Sequence, residues 1–457
     1  MKQVLVRGGT VVDATGSRVA DVLVKGEVIV SVEPGAGAGG APPGAVELDA
    51  GGCVVAPGLV DLHAHLREPG AEQAETIESG SRAAALGGYT AVVAMPNTEP
   101  CTDSAAVVRH VLHLAKGACC DVHPAGAITV GRQGRALAPM AEMVALGVRI
   151  FTDDGNGLQD AALMRRALEY AYELGAVVAD HCEEASLVGR GCMNEGDLSS
   201  LLGLPGRPAV SEEVMVLRDL ALARLTGARL HLLHLSAAAS VAAVRHAKAG
   251  GAAVTAEVTP HHLALTEQAV GDYDTVFKVN PPLRAAADMA ALRQGLRDGT
   301  FDAVATDHAP HPPEAKQVAF GDAAPGMVGL ETALAVVLWA MGEPGAPSAT
   351  TGGPSMTAGE PGMTTGTTGM TIERVLALMS WQPARIAGLS GVHGGPLVPG
   401  AQANLCVIDP ARAWQVEPGA LASRSRNTPF AGLALMGKVR HTVLAGEPVV
   451  VAEEAQR

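Results

Sequence analysis

The sequence predicts an α/β protein: a closed (β/α)8 TIM-type barrel carrying a small β-sandwich assembled from both chain ends. Three observations predict it. Eight apolar β runs alternate with helical stretches through the middle of the chain, a pattern that implies a parallel sheet. Residues able to ligate a metal end the first, fourth, fifth, sixth and eighth runs, and a closed ring lets the first and last strands meet at one point. Short strands separated by Gly-containing turns occupy both termini. An open doubly wound sheet is the alternative topology.

Residues 1–55 read as the first part of the sandwich. Strands are expected at 4–6, 10–12, 21–25 and 27–32, then at 46–48 and 53–55 after a Gly/Ala/Pro stretch at 35–44. Residues 56–389 read as the barrel. Its β runs are 59–65, 90–97, 121–129, 148–154, 176–183, 229–236, 253–262 and 301–310, and the helical stretches between them include 159–174, 211–225 and 237–249. A low-complexity insertion at 342–370, built from Gly, Pro, Thr, Ser, Ala and Met without periodicity, is expected to be disordered or loosely packed. A helix resumes over 371–388. Residues 390–457 return to strands, at 403–408 and 438–451, and complete the sandwich.

A chain of 457 residues, 48% of them hydrophobic, buries a sizeable core; aromatics are only 3%, so that core is built from Ala, Val and Leu. The net charge of −14 argues against nucleic acid or an acidic membrane as a partner. No run reaches the roughly 18 apolar residues of a membrane span. The first residues lead into a strand and a Gly turn instead of a signal peptide. Seven cysteines, none in a C-x-x-C arrangement, are expected as reduced thiols in a cytoplasm.

The chemistry sits at the strand ends. His63 and His65 are two apart on a strand and so share a face, directed into the barrel mouth; Asp61 shares it and is placed to orient a ligand. Asp153 and Asp154 are adjacent, so only one faces inward. His181 ends the fifth run, and Cys182 beside it points away by alternation. In the sixth run His231 and His234 face opposite sides; His234, nearer the C-terminal end, is assigned to the metal, leaving His231 buried or outward-facing. Asp307 ends the eighth run. Four histidines and two aspartates form a ligand set for one or two divalent ions of the zinc type. Water activated by such an ion, with Asp307 carrying its proton to a leaving nitrogen, hydrolyses an amide or cyclic imide. Neither a G-x-S-x-G nucleophile elbow nor a phosphate-binding G-x-x-x-x-G-K-[ST] loop occurs.

At these residues the chain resembles the amidohydrolase superfamily of metal-dependent hydrolases, and within it the bacterial class I dihydroorotases. The resemblance runs over nearly the whole chain. It is carried by Pro57-Gly-Leu-Val-Asp-Leu-His-Ala-His-Leu-Arg-Glu-Pro-Gly70, Ala94-Met-Pro-Asn-Thr98, Phe151-Thr-Asp-Asp-Gly155, His181-Cys-Glu, His234-Leu-Ser, Asn280-Pro-Pro-Leu-Arg284, Thr306-Asp-His-Ala-Pro-His311, Gly326-Met-Val-Gly-Leu-Glu-Thr332 and Asn427-Thr-Pro-Phe430.

The resemblance implies that His63, His65 and Asp307 bind a first zinc and His181 and His234 a second. Asp154, 27 residues before His181, would bridge them. It implies that Arg67, Asn97 and His311 hold a substrate carboxylate, with His65 beside them, and that Asn280 and the backbone at Pro325 and Gly326 contact a pyrimidine-type ring. Asp307 would be the general acid/base. The implied reaction is reversible cyclisation of N-carbamoyl-L-aspartate to L-dihydroorotate, in pyrimidine synthesis. A homodimer and an association with aspartate transcarbamoylase are the implied assemblies. Residues 312–324 stand where a mobile active-site loop is expected. Hydantoinases and allantoinases, the alternative, bridge their metals with a carboxylated lysine where this chain has Asp154. A non-catalytic partner of aspartate transcarbamoylase, the third reading, would lose ligands that this chain keeps.

Overall fold

A computed structural model describes residues 2–35, 41–342 and 369–457. The expectation for the insertion at 342–370 lies outside the described residues except at its ends, as does the middle of the 35–44 stretch. Eight parallel strands form the barrel: β1 Leu59–Ala64, β2 Tyr89–Ala94, β3 Asp121–Pro124, β4 Ile150–Phe151, β5 Val177–Asp180, β6 Arg229–Leu232, β7 Val254–Val258 and β8 Ala303–Val304. Strands β1 to β3 pair in sequence order, as do β4 to β8. Two parallel bridges join these arcs: Gly126 to Phe151 links β3 to β4, and Ala64 to His308 links β1 to the chain beyond β8. At that second joint His65 N donates to His308 O at 2.8 Å. The ring is therefore closed, not doubly wound.

Every strand ends sooner than its apolar run. Residues 152–154, 181–183, 233–236 and 305–310 are buried but lie beyond the continuous strands, where only single backbone bonds remain, such as Thr152 N to Gly126 O at 2.9 Å and Leu235 N to Glu257 O at 3.1 Å. Burial prolongs the apolar pattern after regular pairing has thinned out. The seventh run stops for another reason: Thr259 caps a helical turn, Pro260–Ala264, its side chain accepting from His262 N at 3.2 Å. His63 lies near the end of β1 and the other ligand residues stand on loops, all at the C-terminal face of the barrel, where the sites of such barrels are built.

Helices cover the outside. Ala161–Glu173 starts at Asp160, whose side chain accepts from Leu163 N at 2.9 Å, and buries Met164, Ala167, Leu168 and Ala171 on one stripe. Val210–Thr226 stops at Gly227, which takes φ +72°. The helix expected over 371–388 is interrupted: Ile372–Leu376 gives way to a π turn, Ala377–Trp381, before Gln382–Ile386. Pro383 has no N–H to continue the ladder, so the hydrogen bonds slip by one residue. Inside the ring Leu62, Val93, Ile150, Val177, Ala179, Leu233, Ala303 and Ala305 form a packed plug, the floor of the site.

Both chain ends build one nine-stranded sheet. Gln3–Asp13 is a single strand where two were expected. A register shift between Val6 and Gly9 divides it, so that Val46–Asp49 pairs with its first half and Val54–Pro57 with its second. Val54–Pro57 also pairs with Leu405–Gln415 from the C-terminal end. The sheet folds around its own core of Val4, Val6, Val22, Ile29, Val55, Leu405, Val407 and Val443, making the sandwich. The boundary expected at residue 55 falls inside a strand. After Pro57 only Gly58 separates the sheet from β1, so the sandwich directly anchors the strand that carries the histidine pair. Among the described residues no helix is long and apolar enough to cross a membrane.

Candidate metal centre and substrate cleft

Asp154 stands between two histidine pairs. Its Oδ2 lies 3.5 Å from both His63 Nε2 and His65 Nε2. Its Oδ1 lies 3.5 Å from His181 Nδ1 and 3.4 Å from His234 Nε2. Two three-residue sets of ligand atoms result, and they share this carboxylate. Asp307 Oδ1 adds to the first, 3.2 Å from His65 Nε2 and 3.5 Å from His63 Nε2. All six side chains expected as ligands converge. Asp153 is turned away, accepting from Ile128 N at 2.9 Å, from Thr129 N at 3.1 Å and from the Thr129 hydroxyl. Those bonds leave Asp154 to the centre.

The donor set fits a divalent ion. His63 Nε2 is fully buried, faces two carboxylates and has no hydrogen-bond partner. His181 Nδ1 and His234 Nε2 face each other at 3.0 Å, where two lone pairs repel unless a cation or a proton lies between them. Imidazole and carboxylate donors of this kind suit zinc and its neighbours, and the arrangement implies a metal. Burial opposes the charge on Asp154, yet His63 and the other imidazoles hold its carboxyl well below the usual range. Asp307 behaves alike: burial opposes its charge, and the fields of His63 and His65 keep it ionised.

Three site residues occupy left-handed backbone just beyond strand ends: Arg67 (φ 61°), His234 (φ 31°) and Asp307 (φ 45°). Each costs of order 1–3 kcal/mol and persists only where neighbours over-determine it. At Asp307 the brace is Asp61, which accepts from Thr306 N at 2.9 Å and from Thr306 Oγ1 at 2.5 Å. Asp61 touches His63 only through the backbone N, so it fixes the Asp307 turn and orients no imidazole. The twist at His234 also overturns the expected alternation in the sixth run. His234 lies beyond β6 and still reaches the centre, and His231 takes the buried one of its two expected placements, its Nε2 2.9 Å from Glu257 Oε2. Cys182 does point away, its Sγ facing Asp180 and Asp219.

The residues expected to hold the carboxylate gather beside the first pair, and Asn280 stands at the second. Arg67 Nε donates to Pro310 O at 3.1 Å and its Nη2 lies 3.3 Å from His311 Nε2. Burial lowers Arg67 only to about 10, so it stays a cation. Burial and the Arg67 charge push His311 down to about 3, so it is neutral. Asn97 Oδ1 meets His65 Nδ1 at 2.9 Å, which turns its amide NH2 elsewhere. Asn280 Nδ2 lies 3.3 Å from His181 Nε2, at the second pair.

The Pro325–Gly326 backbone is less free than expected. Gly326 N donates to Lys278 O at 2.9 Å, its carbonyl accepts from Asn427 Nδ2 at 3.1 Å, and Pro325 O lies 2.9 Å from His311 Nε2. Gly326 has φ +138°, and a Cβ there would stand 2.6 Å from Ala309 Cβ, so no other residue fits. Asn427 also donates to Ala309 O at 3.0 Å and accepts from His311 N at 3.2 Å, which gives the C-terminal Asn427-Thr-Pro-Phe430 motif its place as a clamp. The 312–324 loop is docked by Lys316 Nζ on Thr275 O at 3.0 Å and by Lys278 Nζ on Gly321 O at 2.8 Å.

A family model described as Dihydro-orotase-like matches residues 52–240. The chain is 47% identical to a dihydroorotase of Streptomyces coelicolor over 454 residues, covering 99% of each. It is 48% identical to a dihydroorotase of Mycobacterium leprae over 430 residues, covering 93% of this chain and 94% of the relative. The chain belongs to the dihydroorotase family. Among solved structures it shares its fold with L-hydantoinase (dihydropyrimidinase) from Arthrobacter aurescens, at a TM-score of 0.84 and 24% identity, over 100% of this chain and 98% of that one. D-hydantoinase (dihydropyrimidinase) from Thermus sp. aligns at a TM-score of 0.79 and 25% identity, over 99% and 96%.

Three residues of this dihydroorotase-family site were missed in the sequence. Glu257 on β7 is fully buried. Its Oε1 accepts from His63 Nδ1 at 3.2 Å and from His234 N at 3.3 Å, so it touches one histidine of each pair. Glu183 Oε2 lies 2.9 Å from His181 Nε2, and Arg207 Nη1 donates to that same oxygen at 2.8 Å and to Asn280 Oδ1. One signal was available for Glu257: it is the charged residue in the otherwise uncharged strand Val-Thr-Ala-Glu-Val. Arg207 stands on a two-residue strand, Gly206–Arg207, paired with Met193–Asn194, with no sequence pattern to mark it.

Proposed function

We propose that this chain is a zinc-dependent dihydroorotase that interconverts N-carbamoyl-L-aspartate and L-dihydroorotate in pyrimidine biosynthesis, with one or two ions per subunit. The observation that carries the reading is the Asp154 carboxylate set between two histidine pairs, with Arg67 beside the first. The family membership and the motifs running from β1 to Asn427 support it. Bound there, the metal would polarise the scissile carbonyl and acidify water.

The chain's own groups do the rest. Asp307, ionised and within reach of His65, is the general base that takes the proton of the attacking water in hydrolysis and returns it to the ring nitrogen as the amide bond breaks. The Arg67 guanidinium offers a planar fork to the substrate carboxylate. Asn97, with its oxygen occupied by His65, presents its NH2 to the same carboxylate. His311 joins as a neutral hydrogen-bonding group. Asn280 contacts the ring, held by Arg207. The polar atoms of Pro325 and Gly326 are engaged by protein, so their contact with the ring is van der Waals. Residence in the cytoplasm is supported by the seven cysteines, all unpaired thiols. The homodimer and the association with aspartate transcarbamoylase rest on resemblance alone and are read by size-exclusion chromatography with and without that partner.

The test is hydrolysis of dihydroorotate by the purified, zinc-supplemented protein, with hydantoin and allantoin in parallel. Turnover of dihydroorotate alone is expected. Preference for hydantoin or allantoin would overturn the substrate assignment. Silence towards all three, persisting when aspartate transcarbamoylase is added, would overturn the enzyme itself.

A further inference from the structure

At the opposite end of the barrel, a second group of metal-type side chains comes together. Asp121 is the first residue of β3, and His123 follows on the same face. His123 is in register with Val93, whose side chain packs in the barrel plug, so it is directed to the interior at the barrel's N-terminal end. His393, on the segment that leads from Gln382–Ile386 to the C-terminal strands, meets them there. Its Nε2 lies 3.0 Å from Asp121 Oδ2, and its ring stands edge-on to His123 with centroids 5.9 Å apart.

We propose that Asp121, His123 and His393 form a second binding site for a divalent ion of the zinc type, separate from the catalytic centre. Four observations carry this. One ligand atom from each residue lies within 4.8 Å of the others. His123 Nε2 is buried and has no hydrogen-bond partner, an orphan that the packing of the barrel alone does not explain. His393 is held on its other nitrogen, Nδ1, by Thr90 Oγ1 at 3.0 Å and Asn404 Nδ2 at 3.3 Å, which fixes the ring with Nε2 turned to Asp121. The Asp121 side chain is 48% exposed, which gives an ion a route in and leaves a coordination position to water.

Two imidazoles and a carboxylate are a recurrent zinc set. Tetrahedral zinc bonds of about 2.0–2.1 Å put ligand atoms about 3.3 Å apart, and Asp121 Oδ2 and His393 Nε2 already stand 3.0 Å apart. An ion here ties β3 to the segment joining the barrel to the sandwich, so its role is to fasten the two units.

The experiment measures zinc per chain in the full-length protein after dialysis against buffered zinc, for wild type, His123→Gln and Asp121→Asn. One zinc fewer per chain is expected in each variant, with dihydroorotate turnover unchanged. Zinc added to protein already holding its catalytic ions should raise Tm in the wild type alone. Equal stoichiometry in all three proteins would overturn the proposal. So would a loss of zinc that carries turnover down with it, because the site would not be separate. Should His123→Gln fail to fold, Asp121→Asn at the surface reads the same difference. The stoichiometry needs no turnover, so this test is independent of the assigned reaction.

Discussion

Replacing Glu257 with glutamine should weaken metal binding while leaving substrate recognition intact. Glu257 is fully buried on β7, and its two oxygens take His63 Nδ1 at 3.2 Å, His234 N at 3.3 Å and His231 Nε2 at 2.9 Å. Burial works against its charge, yet bonds from His231 and His63 bring the carboxyl down to about 2. Against an ordinary 4.5, that is about 3 kcal/mol in favour of the anion, at roughly 1.4 kcal/mol per tenfold. Glutamine keeps an oxygen for His63 but turns a charge-assisted bond into a neutral one, a loss of about 1–1.5 kcal/mol. His231 must then change tautomer to face the new NH2. The expected result is a loss of metal affinity of about 10- to 100-fold, the range for groups that support metal-binding histidines. Competition against a chelating dye reads the affinity. Turnover should recover at saturating zinc, and KM should not move, because Glu257 contacts no expected substrate residue. Wild-type affinity in the variant would refute the idea that this carboxylate orients the histidines.

Asp307→Asn should cut kcat by about 10²–10⁴-fold, the worth of a placed general base, while metal analysis shows the ions retained; wild-type-like turnover would remove Asp307 from proton transfer. Arg67→Ala should raise KM by about 10- to 150-fold, the equivalent of a charge-assisted bond of 1.5–3 kcal/mol, and an unchanged KM would place the substrate carboxylate elsewhere. Burial pushes the Glu331 carboxyl up to about 7 although it accepts from Ala422 N and Ser423 N. In the unfolded chain it ionises near 4.5, so the native state holds the extra proton between these values and stability falls as pH rises from about 4.5 to 7. Thermal melts should therefore show Glu331→Gln gaining on the wild type at pH 8 relative to pH 4.5; no change in their difference across that range would refute the raised value.

What could be read beforehand followed from periodicity. His63 and His65 were legible because β1 is a true strand up to Ala64 and its period of two holds. The opposite facing expected of His231 and His234 failed on the same rule, since the chain leaves the ladder at Leu232 and His234 takes a left-handed turn, although His234 reaches the centre and His231 is buried. The strand ends ran long because burial outlasts pairing at the C-terminal face. Asp154 over Asp153 came from resemblance; its physical basis is the trio of donors around Thr129, on a loop 24 residues away in sequence. Glu257 and Arg207 act through tertiary contacts between distant segments, whereas Glu183 stands two residues from His181 inside the His181-Cys-Glu motif and gains its second partner, Arg207, only in the fold. The engaged backbone of Gly326 was likewise invisible, because Lys278 and Asn427 are remote in the chain.

The joint between Ala64 and His308 makes the centre a report on chain completion. His63 and His65 are synthesised early, and Asp307 only after some 240 further residues, yet all three hang on the seam where the ring closes. The turn that follows is clamped by Asn427, and the strand feeding β1 is paired with residues beyond 405. A chain without its last strands therefore lacks both the clamp on this turn and the pairing partner of the strand that feeds β1. The centre is thus tied to both ends of the chain: its first strand and its closing turn are each held by residues from the C-terminal end.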